Sequence, residues 1–524
     1  MKEYKLLQER MRYRRMFIQI LLSILFLLTL PFFFLIITKT SKSKKLSTAP
    51  SQSIVFPKSY PIIGSYFAIK SNRNNRLQWT TRILQSSPSA TFTLHHLFGF
   101  RQIFTANPPN VQHMLKTHFF NYQKGPHFTS SLFDFLGNGI FNVDGGSWKL
   151  QRQVSSHEFN TKSLRKFVQT VVDTELHDRL IPILSAAASD QTLLDLQDIL
   201  QRFAFDNVCK IAFGFDPACL LPSLPQAQFA EAFEDAAHIS SERFRAFLNK
   251  TWKIKRFFNV GSEKRLKIAV SQVRELAKKI VKEKKQELAD KSSLESVDLL
   301  SRFLSSGHSD ENFATDIVIS FILAGRDTTS AALTWFFWLL YKNPEVEKEI
   351  LKEIKEKSNM PVFEEVKDMV YTHASLCESM RLYPPVPMDS KLAMEDDVLP
   401  DGTVVKKGTL VTYHPYAMGR MEKLWGSDWA EFKPERWLER DETGKWIFVG
   451  RDPYTYPVFQ AGPRICLGKE MAFLQMKRIV AAVLRRFKVV PTVEDGFQPE
   501  LLVYLTSKMK GGLPIKVEER GEFP

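Results

Sequence analysis

Phe459-Gln460-Ala461-Gly462-Pro463-Arg464-Ile465-Cys466-Leu467-Gly468 is the stretch on which the reading of this 524-residue chain turns. A helical pattern, KEMAFLQMKRIVAAVLRRF, follows directly from Lys469. Gly462-Pro463 makes a tight turn that leaves Cys466 at or just before a helix N-terminus, where unsatisfied N–H groups favour a thiolate. Gly468 removes a side chain where a flat ligand needs close approach to the backbone, and Arg464 supplies a fixed cation beside the sulfur. Taken alone, a cysteine so placed serves equally as a ligand, a nucleophile or a redox sensor. Cys209, Cys219 and Cys377 read as inert thiols. Four scattered cysteines support neither a disulfide framework nor a C-x-x-C zinc site.

Working outward, Ser309-Asp310-Glu311 starts and Asn343-Pro344 stops a helix that is apolar nearly all round and about 50 Å long. Asp316, Arg326 and Asp327 would be costly in lipid, so it reads as a buried core helix rather than a membrane span. At its middle, Ala324-Gly325-Arg326-Asp327-Thr328-Thr329 brings a glycine and hydroxyls that loosen the backbone ladder. Glu378 and Arg381 stand at i and i+3 on one helix face, Arg436 follows in Pro434-Glu435-Arg436-Trp437, and each alone is a common surface pairing. Trp148 and Arg152 are spaced to reach one anionic group together. Strand signals are confined to residues 91–105, which turn at Gly99, and 398–413, which turn at Pro400-Asp401-Gly402 and Lys407-Gly408. Helical periodicity dominates elsewhere; Ser262 opens a run with apolar Leu266, Ala269, Val270, Val273, Leu276, Ala277 and Ile280. The expected fold class is mainly α with a small β region.

The chain is 44% hydrophobic and 25% charged, a globular balance that excludes disorder as the main state. Its net charge is +15, yet residues 1–45 carry ten Lys or Arg against Glu3 and Glu9, so more than half the surplus flanks one segment. That placement points to a membrane flank and away from nucleic acid. Met16 to Ile37 holds no charge and is long enough for a helix across a hydrocarbon core of about 30 Å. Its length and the bulky Phe32, Phe33 and Phe34 before a basic cluster favour a retained anchor over a cleaved signal peptide. Basic residues balance on the two sides, so charge alone sets no orientation. The expected organisation is a tail over 1–15, a transmembrane anchor over 16–38, a basic, Pro-containing linker over 39–64 and one large domain over 65–524.

Together these motifs resemble the haem-thiolate monooxygenases of the cytochrome P-450 superfamily, in order from about residue 57 to the end. The F-x-x-G-x-R-x-C-x-G signature is complete, from Phe459 through Gly462, Arg464 and Cys466 to Gly468. The resemblance implies haem b with Cys466 as its axial thiolate, pushing electron density toward iron. It implies that Arg464, Trp148 and Arg152, with Lys391 as a weaker candidate, hold the haem propionates. Glu378, Arg381 and Arg436 would form a buried ion network behind the cysteine loop, and Asp327 and Thr328 would relay protons to bound O2. An intact threonine and cysteine loop argue for oxygen activation over hydroperoxide rearrangement. Electrons would come from NADPH through the flavoprotein NADPH–cytochrome P-450 reductase. The protein would then be a single-pass protein of the endoplasmic reticulum membrane with its catalytic domain facing the cytosol.

Finer stretches, among them Gly139-Ile-Phe-Asn-Val-Asp144-Gly145 and Thr412-Tyr-His-Pro-Tyr-Ala-Met-Gly419-Arg420, resemble the plant fatty-acid ω-hydroxylases, family 94 of that superfamily. The implied reaction is hydroxylation of the terminal methyl of medium- or long-chain fatty acids. By position in the family, Phe128, Phe133, Phe135, Phe321, Ala324, Val386 and Leu505 would line an apolar channel. His127 and Lys124 are candidates for the cation that meets the carboxylate. Rival readings are oxidation of jasmonoyl–amino-acid conjugates or of a sterol side chain, and a non-catalytic membrane-tethered haem sensor. No G-x-S-x-G or H-E-x-x-H occurs, which leaves a hydrolase remote.

Overall fold

Short β-branched stretches separated by glycine turns, set among long apolar-faced helices, account for the layout of the computed structural model. It describes residues 56–159, 165–224, 228–245, 251–290, 298–306, 310–358, 360, 362–494 and 496–521, with Gln19, Ser23 and Leu28. Val55–Pro524 forms one compact unit, distinct from Met1–Ile54. Apart from Gln19, Ser23 and Leu28, the expected anchor falls outside the described residues, as does most of the linker. Among the described residues no helix is long and apolar enough to cross a membrane.

The predicted regions supply three strands of a five-stranded sheet; its other two, and the paired strands Phe487–Pro491 and Pro514–Glu519 near the C-terminus, lie where no strand was expected. Strands β1 (Thr91–His95) and β2 (Arg101–Thr105) pair antiparallel, with Phe92 opposite Phe104, about a turn where Gly99 takes a positive φ. β3 (Tyr122–Gln123) joins β4 (Asp389–Ala393); β5 (Asp397–Val398) and β6 (Val404–Val405) form a separate small hairpin. β7 (Leu410–Tyr413) lies parallel to β2 and antiparallel to β4, giving the order β1-β2-β7-β4-β3. Asp389 is thereby set opposite Tyr413, and Lys391 opposite Val411.

Helices make up most of the remainder. Those that position the site are α1 (Gly125–Leu136), α2 (Gly145–Ser156), α3 (Thr251–Phe258), α4 (Ser262–Asp290), α5 (Glu311–Ile322), α6 (Thr328–Lys342), α7 (Val370–Leu382) and α8 (Lys469–Arg486). On α4 the predicted stripe is buried at Leu266, Ala269, Val273, Ala277 and Ile280 and part-exposed at Val270 and Leu276. The long central helix starts where its signal stands: the Asp310 carboxylate accepts the Phe313 N–H at 3.0 Å, and Glu311 opens the first turn. Between α5 and α6, Leu323–Asp327 widens into a π turn, the interruption expected from Ala324-Gly325 and the hydroxyls. Ala314–Ser320 and Thr329–Leu340 are buried throughout, so this rod is a core element.

One buried histidine fixes a pH dependence. His414 Nδ1 accepts the Ala417 N–H at 3.1 Å, capping a short helix, and its Nε2 lies 3.0 Å from Thr80 Oγ1. Burial lowers its pKa to about 3. An unfolded chain therefore takes up a proton at pH values below 6.5 that the folded chain refuses, and stability falls as pH drops through that window. Between pH 7 and 5.5 this group costs about 1 kcal/mol. His414→Gln is expected to lower stability at pH 7 but to shrink the drop in urea midpoint between those two pH values.

Candidate active site

The cysteine loop is shaped by its own backbone before any ligand is considered. Cys466 N–H donates to the Phe459 carbonyl at 2.8 Å, closing the loop into a bulge. Gly462 has φ +63, and a Cβ there would come within 2.0 Å of the Leu115 carbonyl, so only glycine lets the loop seat against residues 113–117. The Cys466 side chain is accessible even though burial is the largest influence on its acidity; the sulfur faces a recess inside the protein rather than open solvent. Next to it, Gly468 presents no side chain, and a Cβ there would lie 4.0 Å from the sulfur and 3.6 Å from Phe159. A thiolate donor in a recess with glycine beside it fits a flat iron macrocycle. One expectation is corrected here: burial raises the Cys466 pKa, and the Gly468 N–H and the charges of Arg152 and Lys469 only partly oppose it. The helix start alone does not make the thiolate; binding a metal would.

Cations gather beside the loop. Arg464 donates to Asp144 Oδ1 at 2.6 Å and to the Val143 carbonyl at 3.0 Å, and its guanidinium lies 4.5 Å from the centre of the buried Trp148 ring. Lys391 Nζ donates to Asp389 Oδ2 at 2.6 Å, while Gln460 Nε2 and the Tyr413 hydroxyl donate to the same oxygen at 2.8 and 3.2 Å. Lys124 Nζ stands 3.9 Å from Asp389 Oδ1. Burial lowers Lys124 to about 7, against the pull of Asp389 and with the repulsion of Lys391 and Arg464. Burial alone would raise Asp389, yet the Lys124 and Lys391 ammonium groups hold its carboxyl well below the usual range. Two buried lysines and the part-buried Arg464 face Asp389 and Asp144, a set of donors that suits propionate carboxylates. Lys124 therefore belongs to this cluster. Arg152 stands within electrostatic reach of both Arg464 and the Cys466 sulfur.

The other predicted groups fall as follows. Glu378 and Arg381 are fully buried, paired through Arg381 Nε and Nη2 at 2.8 and 2.7 Å. Arg436 Nε and Trp437 Nε1 reach the same carboxylate at 3.1 and 3.0 Å. The Tyr456 hydroxyl, just before the cysteine loop, donates to the Cys377 carbonyl at 2.8 Å and ties α7 to that loop. At the π turn Thr328 Oγ1 donates to the Ala324 carbonyl at 2.6 Å. Asp327 is buried, accepting from Arg326 Nη1 at 2.7 Å and from Thr506 Oγ1 at 3.4 Å.

Within the sealed middle of the rod, Phe321, Ala324, Gly325 and Thr328 remain part-exposed, a helix-spaced stripe lining open space. Phe128, Val386 and Leu505 are also part-exposed. Two expected wall residues lie apart: Phe135 is fully buried edge-to-face with Phe233, and Phe133, 52% exposed, opens onto a surface groove with Trp252 and Phe257. His127 Nε2 lies 3.1 Å from the Phe244 carbonyl. Sequence reasoning missed Asp389, Gln460, Asp144, Tyr413 and Thr506. A charged pair such as Asp389 and Lys391 inside a strand was the one available signal for the first.

Comparisons with known proteins agree with this geometry. The cytochrome P450 family model matches residues 55–510. Cytochrome P450 94A2 of Vicia sativa is 63% identical over 507 residues, covering 96% of this chain and 99% of that protein. Cytochrome P450 94A1 of Vicia sativa is 66% identical over 468 residues (89% and 91%), and cytochrome P450 94B1 of Arabidopsis thaliana is 50% identical over 489 (92% and 94%). The fold is thus the mainly helical P450 fold, the implied cofactor is haem iron with a thiolate ligand, and the chemistry is monooxygenation with O2 and electrons from a redox partner. The chain belongs to the cytochrome P450 family, and within it to family 94.

Proposed function

We propose that this monooxygenase hydroxylates the terminal methyl carbon of medium- or long-chain fatty acids. The observation that carries the reading is the stripe on the sealed central rod, where Phe321 and Ala324 offer only apolar surface beside the Thr328 hydroxyl. Methyl C–H bonds are stronger than the neighbouring methylene bonds, so selectivity for the chain end rests on which carbon the walls let approach. Phe128, Val386 and Leu505 supply further apolar wall. In the balanced reaction a fatty acid, O2, NADPH and a proton give the ω-hydroxy acid, water and NADP+.

Haem, when bound, supplies the iron that activates dioxygen. Cys466 would be its sulfur ligand, and Arg464, Trp148 and Arg152, with Lys391 and the neighbouring Lys124, would hold its propionates. Phe459, Gly462 and Gly468 shape the loop that carries the ligand. Thr328 Oγ1 would pass on a proton drawn from solvent, and the Asp327 carboxylate, held by Arg326 and Thr506, would act with it as the second member of that relay. Electrons come from NADPH through NADPH–cytochrome P-450 reductase at the cytosolic face of the endoplasmic reticulum, with residues 16–38 as the single-pass anchor. Helix α3 supports apposition to lipid: Ile254, Phe257 and Phe258 are exposed among Lys253, Lys255 and Arg256.

The test is product analysis by mass spectrometry after incubating membranes holding the full chain with reductase, NADPH and a saturated fatty acid. The ω-hydroxy acid is expected as the main product. Mid-chain hydroxylation, or turnover confined to jasmonoyl–amino-acid conjugates or sterols, would overturn the reading.

A further inference from the structure

Away from the cysteine loop, a second constellation has metal-ligand spacing. His113, His118 and Asp397 each offer one ligand atom, all within 4.8 Å of one another. His113 Nε2 lies 2.9 Å and His118 Nδ1 3.2 Å from Asp397 Oδ2, and the two imidazole centres are 4.0 Å apart. The Tyr122 hydroxyl donates to the same oxygen at 2.8 Å. Three donors thus converge on one carboxylate oxygen that has two lone pairs, while Oδ1 is occupied by the Val398 N–H at 2.8 Å. A cation bound between the imidazole nitrogens and the carboxylate relieves that crowding. Ligands around tetrahedral zinc, at about 2.0–2.1 Å from the metal, stand about 3.3 Å from one another. The two His–Asp397 separations need little change.

We propose that His113, His118 and Asp397 form a binding site for a divalent cation of the zinc class. Two imidazoles and one carboxylate select Zn2+ and its borderline-soft neighbours over Mg2+ or Ca2+, which prefer all-oxygen sets. Water completes the coordination. Tyr122 acts from outside it: its hydroxyl, kept protonated by burial and by Asp397, orients the carboxylate. The side chains come from two separate places in the chain, the turn His113–Thr117 with His118 at its end, and strand β5. Leu115 of that turn is the residue whose carbonyl abuts Gly462 of the cysteine loop. A bound ion therefore clamps the platform on which that loop rests, and is expected to slow loss of haem.

The experiment uses untagged, haem-loaded full-length protein dialysed against Zn2+ with Mg2+ in excess, and bound zinc is counted by elemental analysis. One zinc per chain is expected, with affinity falling at least about tenfold in His118→Ala and in Asp397→Asn. His118 lies at the surface, so its replacement tests the site even if Asp397→Asn fails to fold. His177→Ala, at an exposed position elsewhere, is the control and should bind as the parent does. Zinc affinity unchanged in His118→Ala, displacement by Mg2+, or no stoichiometric binding would each overturn the proposal.

Discussion

Arg381→Ala is expected to yield almost no folded, haem-loaded protein. Arg381 is fully buried, and its guanidinium is used up: two bonds go to Glu378, and others to the carbonyls of Gly419, Trp429 and Glu431. Removing it leaves Arg436 as the charged side chain paired with Glu378 among the described residues, and breaking such a buried pair costs about 3–5 kcal/mol. Each of the three abandoned carbonyls adds about 1 kcal/mol or more. Set against a total stability of about 5–15 kcal/mol, that loss is decisive. Lysine is not expected to rescue it, because one ammonium cannot reproduce a planar fork that spans Glu378 and three carbonyls. The check is the yield of haem-loaded protein and its thermal midpoint, and an Arg381→Ala protein melting with the parent would contradict the assignment.

Thr328→Ala is expected to leave the fold and haem binding intact while diverting reducing equivalents. Thr328 carries the one side-chain hydroxyl on the part-exposed stripe, and it sits at the π turn, bonded to the Ala324 carbonyl. Alanine fills nearly the same space but holds no proton to deliver. NADPH and O2 consumption should continue, with hydrogen peroxide replacing hydroxylated product and coupling down about tenfold or more. Thr328→Ser keeps the hydroxyl and should keep most of the coupling. Full coupling in the alanine variant would show that protons arrive by another route.

What was legible in the sequence follows from what local physics controls. Glycine turns and a helix start fix the cysteine loop through backbone rules, so the placement of Gly462 and Cys466 could be read directly. The caps, the apolar periodicity and the interruption at Ala324-Gly325 gave the central rod, including the site of its π turn. The partner of a charge was not legible. Lys124 looked like a cation for a fatty-acid carboxylate; folding places it beside Asp389, Lys391 and Arg464, from strands and loops hundreds of residues away. Phe133 and Phe135 stand two residues apart on one helix and so point different ways, one to a surface groove and one into the core, which a family position does not reveal. Acidity was misjudged for a similar reason: a helix start favours the thiolate, but the surrounding protein mass outweighs it until a metal is present.

The central claim, that Cys466 ties iron into this fold through sulfur, is tested most directly by the reduced carbon-monoxide difference spectrum of the purified full-length protein. The predicted result is the Soret band of thiolate-ligated haem, lost in Cys466→Ala. A histidine-type spectrum, a protein without pigment, or a thiolate band that survives the removal of Cys466 would contradict it.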